Sequence, residues 1–179
     1  MKKKYCAFIC LTFAFLLLAA CSAQDIHEGI ELTPEYISDD GLLISLDAGD
    51  GHDILVKVWY LENEEWGLLN TAAVSVSGQD QVSLSFGRSF KGLTVTTDSS
   101  GGCSFSCNHD PANELENSAM QVCTVKEPIT AAAGEDIPIV IQLFGKGTAE
   151  VEVSPDVFDS PEILPDCEAS YMLTLCIKE

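Results

Sequence analysis

Apolar and polar residues alternate along several stretches of the chain, with the period of two that places successive side chains on opposite faces of a β-strand. In residues 54–61 (ILVKVWYL), Ile54 and the alternate positions after it share one face, while Lys57 and its alternates share the other. Residues 137–144 (IPIVIQLF) and 171–178 (YMLTLCIK) alternate in the same way. Each pattern predicts a strand with one well-buried face.

Further stretches with strand-like composition are residues 29–33, 41–47, 68–76, 81–87, 92–97, 120–126 and 148–153. Turns rich in Gly and Asp separate them, residues 62–65 read as a hairpin loop, and residues 111–120 read as loop. No stretch of ten or more residues carries a helical stripe. The chain therefore predicts an all-β fold, an antiparallel β-sandwich of about 8–10 strands.

One of these strands has a distinctive entry. Residues 131–143 (AAAGEDIPIVIQL) resemble the Gly-Glu entry into a strand of bacterial immunoglobulin-like domains. The resemblance is about a dozen residues long and implies an immunoglobulin-like sandwich without assigning the chain to a family.

The N-terminus has the pattern of an export signal. Lys2, Lys3 and Lys4 form a positive head, and residues 5–20 are apolar apart from Thr12. A transmembrane helix needs about 20 apolar residues, so this segment is short for a span. The pattern favours a signal peptide over an N-terminal membrane helix.

The end of this leader resembles the lipobox of bacterial lipoprotein precursors, the pattern Leu-small-small-Cys, in Leu18-Ala19-Ala20-Cys21. The resemblance covers only the first 21 residues. It implies that the Cys21 sulfur receives a diacylglyceryl group, with acyl chains such as palmitate, and that the leader is cleaved before Cys21. Two or three acyl chains hold a protein stably on a membrane. We therefore expect a lipid-anchored protein on the extracytoplasmic face of the cell membrane.

These features divide the chain into three parts. Residues 1–20 are the expected lipoprotein signal peptide, residues 21–28 a lipidated tether, and residues 29–179 a single β-sandwich domain. A domain of this length buries enough surface to build a core without disulfides.

The charge balance limits the partners. The chain has 9 Lys+Arg and 28 Asp+Glu, of which the leader contains three bases and no acid, so the mature net charge is 6 − 28 = −22. Such a balance disfavours nucleic acid and docking on anionic lipid, which both need clustered Lys and Arg. It favours a soluble monomer that contacts the membrane only through its lipid. The expected partner is an envelope protein or a glycan.

Five cysteines remain after the leader and the lipidation site are set aside, and outside the cytoplasm they are first read as disulfide candidates. We expect one bridge between Cys167 and Cys176, provided that the chain turns at residues 168–170. A second bridge is expected within the other three. The candidates are Cys103, Cys107, Cys123, Cys167 and Cys176.

Two metal sites are the alternatives. Cys103, Cys107, His109 and Cys123 would supply three sulfurs and a nitrogen, a tetrahedral zinc set, although Cys-x3-Cys-x-His is not a known knuckle spacing. This set defines the alternative function, a zinc-type metal-binding envelope lipoprotein. The main expectation is no metal and no cofactor.

The second alternative is calcium in residues 47–53 (DAGDGHD), where Asp47, Asp50 and Asp53 lie on a Gly-rich turn. The EF-hand spacing is absent, and Asp-Gly pairs are common hairpin turn residues. The turn interpretation is therefore preferred.

Trp59 and Trp66 lie around the predicted hairpin and are candidates for stacking on a sugar or a partner, with core packing as the commoner fate of aromatic residues. Catalytic patterns are absent: the chain has three histidines, no Gly-x-Ser-x-Gly and no His-Glu-x-x-His. We therefore expect no enzyme, but a binding or structural module at the cell envelope.

Overall fold

The computed structural model describes residues 30–38, 40–49, 51–107, 115–145 and 151–178. The predicted leader, the lipidation site Cys21 and the tether lie outside these residues.

Two antiparallel sheets face each other. The six-stranded sheet contains β1 (Ile30–Ser38), β2 (Gly41–Asp47), β5 (Gln79–Ser85), β6 (Leu93–Thr97), β7 (Gly101–Phe105) and β9 (Ile129–Ala131), in the order β7-β6-β5-β2-β1-β9. The five-stranded sheet contains β3 (His52–Glu62), β4 (Glu65–Val76), β8 (Met120–Thr124), β10 (Asp136–Phe144) and β11 (Ala169–Ile177), in the order β4-β3-β11-β10-β8. The predicted all-β antiparallel sandwich is confirmed, with eleven strands in the described part of the chain.

Alternate residues of both sheets meet in one core between them. Ile44 and Val82 of the six-stranded sheet are at most 1% exposed, as are Val56 and Ile139 of the five-stranded sheet. Full burial of one such side chain stabilises the fold by about 1.5–3 kcal/mol. The alternation in the sequence thus gives each sheet an apolar inner face, and the two inner faces together form the core.

The connections define two ends of the sandwich. A short turn joins the end of β2 to the start of β3, and β1 begins beside the end of β2, where Leu32 pairs with Leu46. Strand β11 runs antiparallel to β3, so it starts at the opposite end, beside the last residue of β10. We call these the Ile30 end and the Phe144 end.

The β3–β4 hairpin turns in two residues. Asn63 and Glu64 both have positive φ, 53° and 65°, which is the requirement of a type I′ turn. Its twist matches that of the flanking strands. The predicted hairpin is present, but its loop is shorter than the predicted residues 62–65, since Glu62 and Glu65 pair as the last rung of the ladder.

Some elements differ from the sequence prediction. Strand β7 was not predicted, because its glycines and cysteine show no apolar alternation. Strand β9 was not predicted either, because its three residues are too few to show a period. Residues 148–153 were predicted as a strand, but Val151, Glu152 and Val153 are outside any strand, and residues 148–150 lie outside the described range. The segment leads instead into helix α1 (Asp156–Asp159) and a 3-10 turn at Pro161–Ile163.

Residues 151–168, here called the cover segment, form a third layer. They lie on the outer face of the five-stranded sheet, where Val153 and Val157 pack against Ile141, Leu143 and Met172. For this reason Met172 of β11 is buried although it faces outward, and with Thr174 and Cys176 also buried the strand is buried at every position. The expectation of a single well-buried face is wrong for this strand.

Candidate functional site

The outer face of the six-stranded sheet is polar, and no described residue covers it with an apolar cluster. Its side chains hydrogen-bond across strands: Ser45 Oγ donates to Glu35, and Gln81 Nε2 donates to Glu35 Oε2 over 3.1 Å and to Ser45 Oγ over 3.3 Å. At the far edge the hydroxyl groups of Thr94 and Ser104 are 2.9 Å apart. We call this surface the polar face.

The polar face contains an open groove of about 620 Å³ near the Ile30 end. Hydroxyl and amide groups of Thr33, Ser45, Gln79 and Gln81 line it. It is also lined by five carboxylates and, among the described residues, by no basic side chain; the carboxylates belong to Glu31, Glu35, Asp47, Asp80 and Asp98. The groove therefore offers hydrogen-bonding groups and negative charge.

Asp80 fixes the loop beside this groove. It is 3% exposed and accepts hydrogen bonds from the backbone N–H of Gln81 (2.9 Å) and of Asp98 (3.0 Å), and from Ser99 Oγ. Burial opposes ionisation, but these bonds outweigh it and lower the pKa of Asp80 below its ordinary value. Its ionised carboxylate thus ties the β6–β7 turn to β5.

A second open pocket, of about 510 Å³, lies at the same end and is rich in hydroxyl groups. His52 and Lys178 line it together with Asp53, whose Oδ1 accepts a hydrogen bond of 2.7 Å from Ser75 Oγ. Lys178 Nζ is 3.9 Å from Asp53 Oδ2, and both side chains are largely exposed. Polar groups therefore converge at the Ile30 end on two neighbouring surfaces.

The two tryptophans do not form an exposed platform. Trp59 Nε1 donates to Thr174 Oγ1 over 2.9 Å, and its ring packs edge-on against Phe158 at 5.0 Å. Trp66 Nε1 donates to the carbonyl of Val157 over 3.1 Å. Both binding candidates lie under the cover segment, because the face that Trp59 shares with Lys57 is covered rather than solvent-facing.

The five cysteines are free thiols and lie in different environments. Strand β11 runs without a turn from Ala169 to Cys176, and at about 3.3 Å per residue it spans about 23 Å. A disulfide needs Cα atoms within about 7 Å. The proposed Cys167–Cys176 bridge within one chain is therefore wrong, since no turn brings the two residues together.

The other three thiols lie on two faces. Cys107 belongs to the core between the sheets and Cys103 packs partly against it, whereas Cys123 belongs to the cluster under the cover segment. Cys123 therefore shares no site with Cys107, and the zinc set that contains both is not assembled. His109 lies outside the described residues. No group of three His, Cys, Asp or Glu side chains in the described ranges could hold a metal ion.

The calcium candidates are also separated. Asp47 Oδ1 accepts the Gly49 N–H over 3.2 Å and lines the groove of the polar face, while Asp53 lines the hydroxyl-rich pocket. Asp50 lies outside the described residues. The bond from Asp47 to Gly49 is the turn contact that Asp makes two residues ahead.

A buried polar cluster lies inside the core at the Phe144 end. Burial raises the pKa of Tyr171 to about 12, with Ser89 beside its hydroxyl opposing the shift. Burial also raises the pKa of the Cys107 thiol, against a bond from Asn70. Ser89 has φ of 54°, in the left-handed region. Burial therefore favours the neutral, protonated form of both the Tyr171 hydroxyl and the Cys107 thiol.

Sequence reasoning missed the residues that shape the polar face. Glu35 and Ser45 stand ten residues apart on one hairpin, but Gln81 follows Ser45 by 36 residues and lies beside it only through the pairing of β2 with β5, so no local spacing links the three. The one available signal was the polar half of the alternation in residues 79–85, where Gln81, Ser83 and Ser85 face outward.

The described part of the chain contains no helix with the length and apolar character required to cross a membrane. Comparisons with known proteins found no matching family model, no matching curated protein and no matching solved structure.

Proposed function

We propose that this protein is a lipid-anchored β-sandwich on the extracytoplasmic face of the cell membrane, which acts as a binding module at the cell envelope. The observation that carries the proposal is the leader that ends in Leu18-Ala19-Ala20-Cys21 directly before the tether. The first strand of the sandwich begins at Ile30, so residues 22–29 would connect a lipid on Cys21 to the domain.

The polar face is the surface that best suits a polar partner. Its hydroxyl, amide and carboxylate groups, such as those of Ser45, Gln81 and Glu35, match the hydrogen-bonding groups of a glycan or of a polar protein surface. The apolar outer face of the other sheet is already covered by the chain itself. This contrast supports binding through the six-stranded sheet.

The anchor is tested by growing producing cells with labelled palmitate. The label should enter the wild-type chain and a Cys10→Ser control, whose substituted thiol lies in the leader, but not a Cys21→Ala variant. The wild type should partition with membranes. An unlabelled wild-type chain would refute the anchor and the compartment with it.

The binding surface is tested by co-sedimentation with isolated envelope glycan. Ser83→Trp places a bulky ring on the polar face, and Thr71→Trp places the same ring on an exposed position of β4 in the other sheet. We expect Ser83→Trp to reduce sedimentation at least about tenfold, as loss of a central contact does. Equal sedimentation of both variants would count against the polar face.

A further inference from the structure

The connection between β10 and β11 is far longer than the hairpin requires. Phe144 pairs with Ala169, and the Glu168 N–H donates to the Phe144 carbonyl over 2.7 Å, so the two strands meet directly at this end. Residues 145–168 lie between them, whereas hairpin loops usually have 2–5 residues. Residues 146–150 of this connection lie outside the described residues. Loops of such length are commonly lids or binding loops.

The cover segment has a hydrophobic cluster of its own. Every member of this cluster comes from the cover segment or from the outer face of the five-stranded sheet, and none comes from the six-stranded sheet. Strands β10 and β11 also contribute Val140, Tyr171 and Leu173 to the core between the sheets. That core contains no residue from 151–168. The sandwich therefore does not depend on the cover segment for its main core.

In the described residues, isolated polar contacts hold the cover segment on the sheet. The Trp66 indole N–H donates to the Val157 carbonyl, and the Val151 N–H points to the Cys123 sulfur. Near the junction with β11, Ser118 Oγ donates to Glu168 Oε2 over 2.7 Å, and Cys167 Sγ lies 3.0 Å from Ser170 Oγ. Within residues 151–168 no residue belongs to a strand, so the ladder of the sheet does not extend into the segment. Three of its residues are prolines, which lack the N–H that such a ladder needs; they are Pro155, Pro161 and Pro165.

A groove also separates one margin of the cover segment from the neighbouring chain. A groove of about 570 Å³ lies between residues 151–155 and residues 124–129, and both polar and apolar groups line it. Val151 and Val153 line this groove and at the same time pack in the cluster beneath. Solvent thus reaches the margin of the cluster.

We propose that the cover segment is a lid, which leaves the five-stranded sheet as a unit while the β10–β11 ladder stays intact. Its opening uncovers Trp59, Trp66 and Met172, an aromatic and aliphatic surface that the closed lid hides. Local opening of this kind needs less free energy than global unfolding, since only the contacts under the lid are lost. The proposal does not depend on lipid attachment.

Two native thiols report on the opening separately. Cys123 lies under the lid and is 7% exposed, while Cys176 lies in the β11 ladder and is 4% exposed. Burial raises the pKa of both thiols, so each reacts only when its region opens. The rate of alkylation by N-ethylmaleimide, measured for each cysteine by mass spectrometry on reduced washed membranes, then reports how readily each region opens.

The test variant is Phe158→Ala, which removes the ring that packs on Trp59. We expect it to accelerate the alkylation of Cys123 at least about tenfold and to leave Cys176 unchanged. The matched control is Ile163→Ala, a change in the same segment at a side chain that is 54% exposed, and it should alter neither rate. If Phe158→Ala accelerates both thiols by the same factor, or neither, the lid is overturned. If the protein is found in the soluble fraction, the same assay is done there. Failure of the anchor is then distinguished from failure of the lid.

A second variant does not rely on weakening the fold. Because the Val151 N–H lies at the Cys123 sulfur, Val151→Cys should form a disulfide with Cys123 that ties the lid down. The only two tryptophans of the chain lie under the lid, so acrylamide quenching of their emission should fall at least about twofold in the oxidised variant relative to the same variant reduced. Equal quenching in both states would overturn the proposal.

Discussion

The outer faces of the two sheets are opposites. Strand β5 alternates strictly, with Val82 and Leu84 buried and Ser83 and Ser85 exposed, whereas β11 is buried at all nine positions. The difference does not come from strand composition alone. It arises in part because residues 151–168 fold back over Met172 of β11, while nothing described lies on β5. One sheet therefore presents its outer face to solvent, and the other uses the part of its outer face around Ile141, Leu143 and Met172 as a second core.

The largest expected effect comes from placing a charge on each outer face. Met172→Lys would bury an ammonium group where the side chain is fully buried, and we expect it to lower the free energy of unfolding by about 4 kcal/mol or more. Ser83→Lys, on the exposed face, should change it by about 0.5 kcal/mol or less. Urea unfolding followed by far-UV circular dichroism measures both. Similar losses in the two variants would remove the distinction between the faces.

Truncation of apolar side chains should give the next largest effect. Ile141 is 0% exposed under the cover segment, and Ile141→Ala should cost about 3 kcal/mol, since it leaves a cavity. Leu43 points outward from the six-stranded sheet and is only half-buried, so Leu43→Ala should cost about 1 kcal/mol or less. If Ile141→Ala costs no more than Leu43→Ala in the same urea titration, the third layer contributes little packing.

Two ion pairs at the five-stranded sheet, one mostly buried and one exposed, should contribute differently to the free energy of unfolding. Lys57 Nζ is 2.8 Å from Asp136 Oδ2, with side-chain exposures of 17% and 18%, and Thr174 also donates to this carboxylate. Lys57→Met leaves the carboxylate mostly buried without its partner and should cost about 2 kcal/mol. Lys178→Met breaks the exposed pair with Asp53 and should cost about 0.5 kcal/mol or less. Raising the salt concentration should weaken only the exposed pair, and equal losses would contradict this ranking.

The smallest expected effect depends on pH. The pKa of Asp80 is lowered in the folded state, so its contribution to stability is present above the ordinary carboxyl pKa and is lost as the pH falls through the folded value. Asp80→Asn should therefore cost about 1 kcal/mol at pH 7, progressively less as the pH falls below the ordinary pKa of 3.8, and almost nothing below the lowered folded pKa. Thermal unfolding at a series of pH values measures this difference. A constant difference across the series would mean that the charge of Asp80 is not what holds the β6–β7 turn.

Much of the sandwich was predictable because alternation is local. The stretches at residues 54–61, 137–144 and 171–178 contain their own period, and the Gly and Asp turns mark their limits. The third layer was not predictable in this way. The cover segment places Val153, Val157 and Leu164 among prolines and acids without any period, so its contact with Met172 exists only in three dimensions.

The candidate sites show the same limit. The spacing of Cys103, Cys107 and Cys123 drew attention to one cluster, but neighbouring strands turn these thiols toward different layers. The face of Trp59 was assigned correctly from its alternation with Val58, yet its burial depends on a segment about 90 residues away. Alternation gives the face of a side chain, and only the tertiary fold gives what covers that face.

The positions of the two ends have a consequence for orientation at the cell surface. Strand β1 starts at the Ile30 end, and the cover segment joins β11 at the Phe144 end, about 26 Å away along a nine-residue strand. A lipid on Cys21 would therefore be attached nearest the end of the sandwich that carries the carboxylates of the groove. The junction of the proposed lid with β11 lies at the opposite end, so the anchor and the lid would not compete for the same part of the domain.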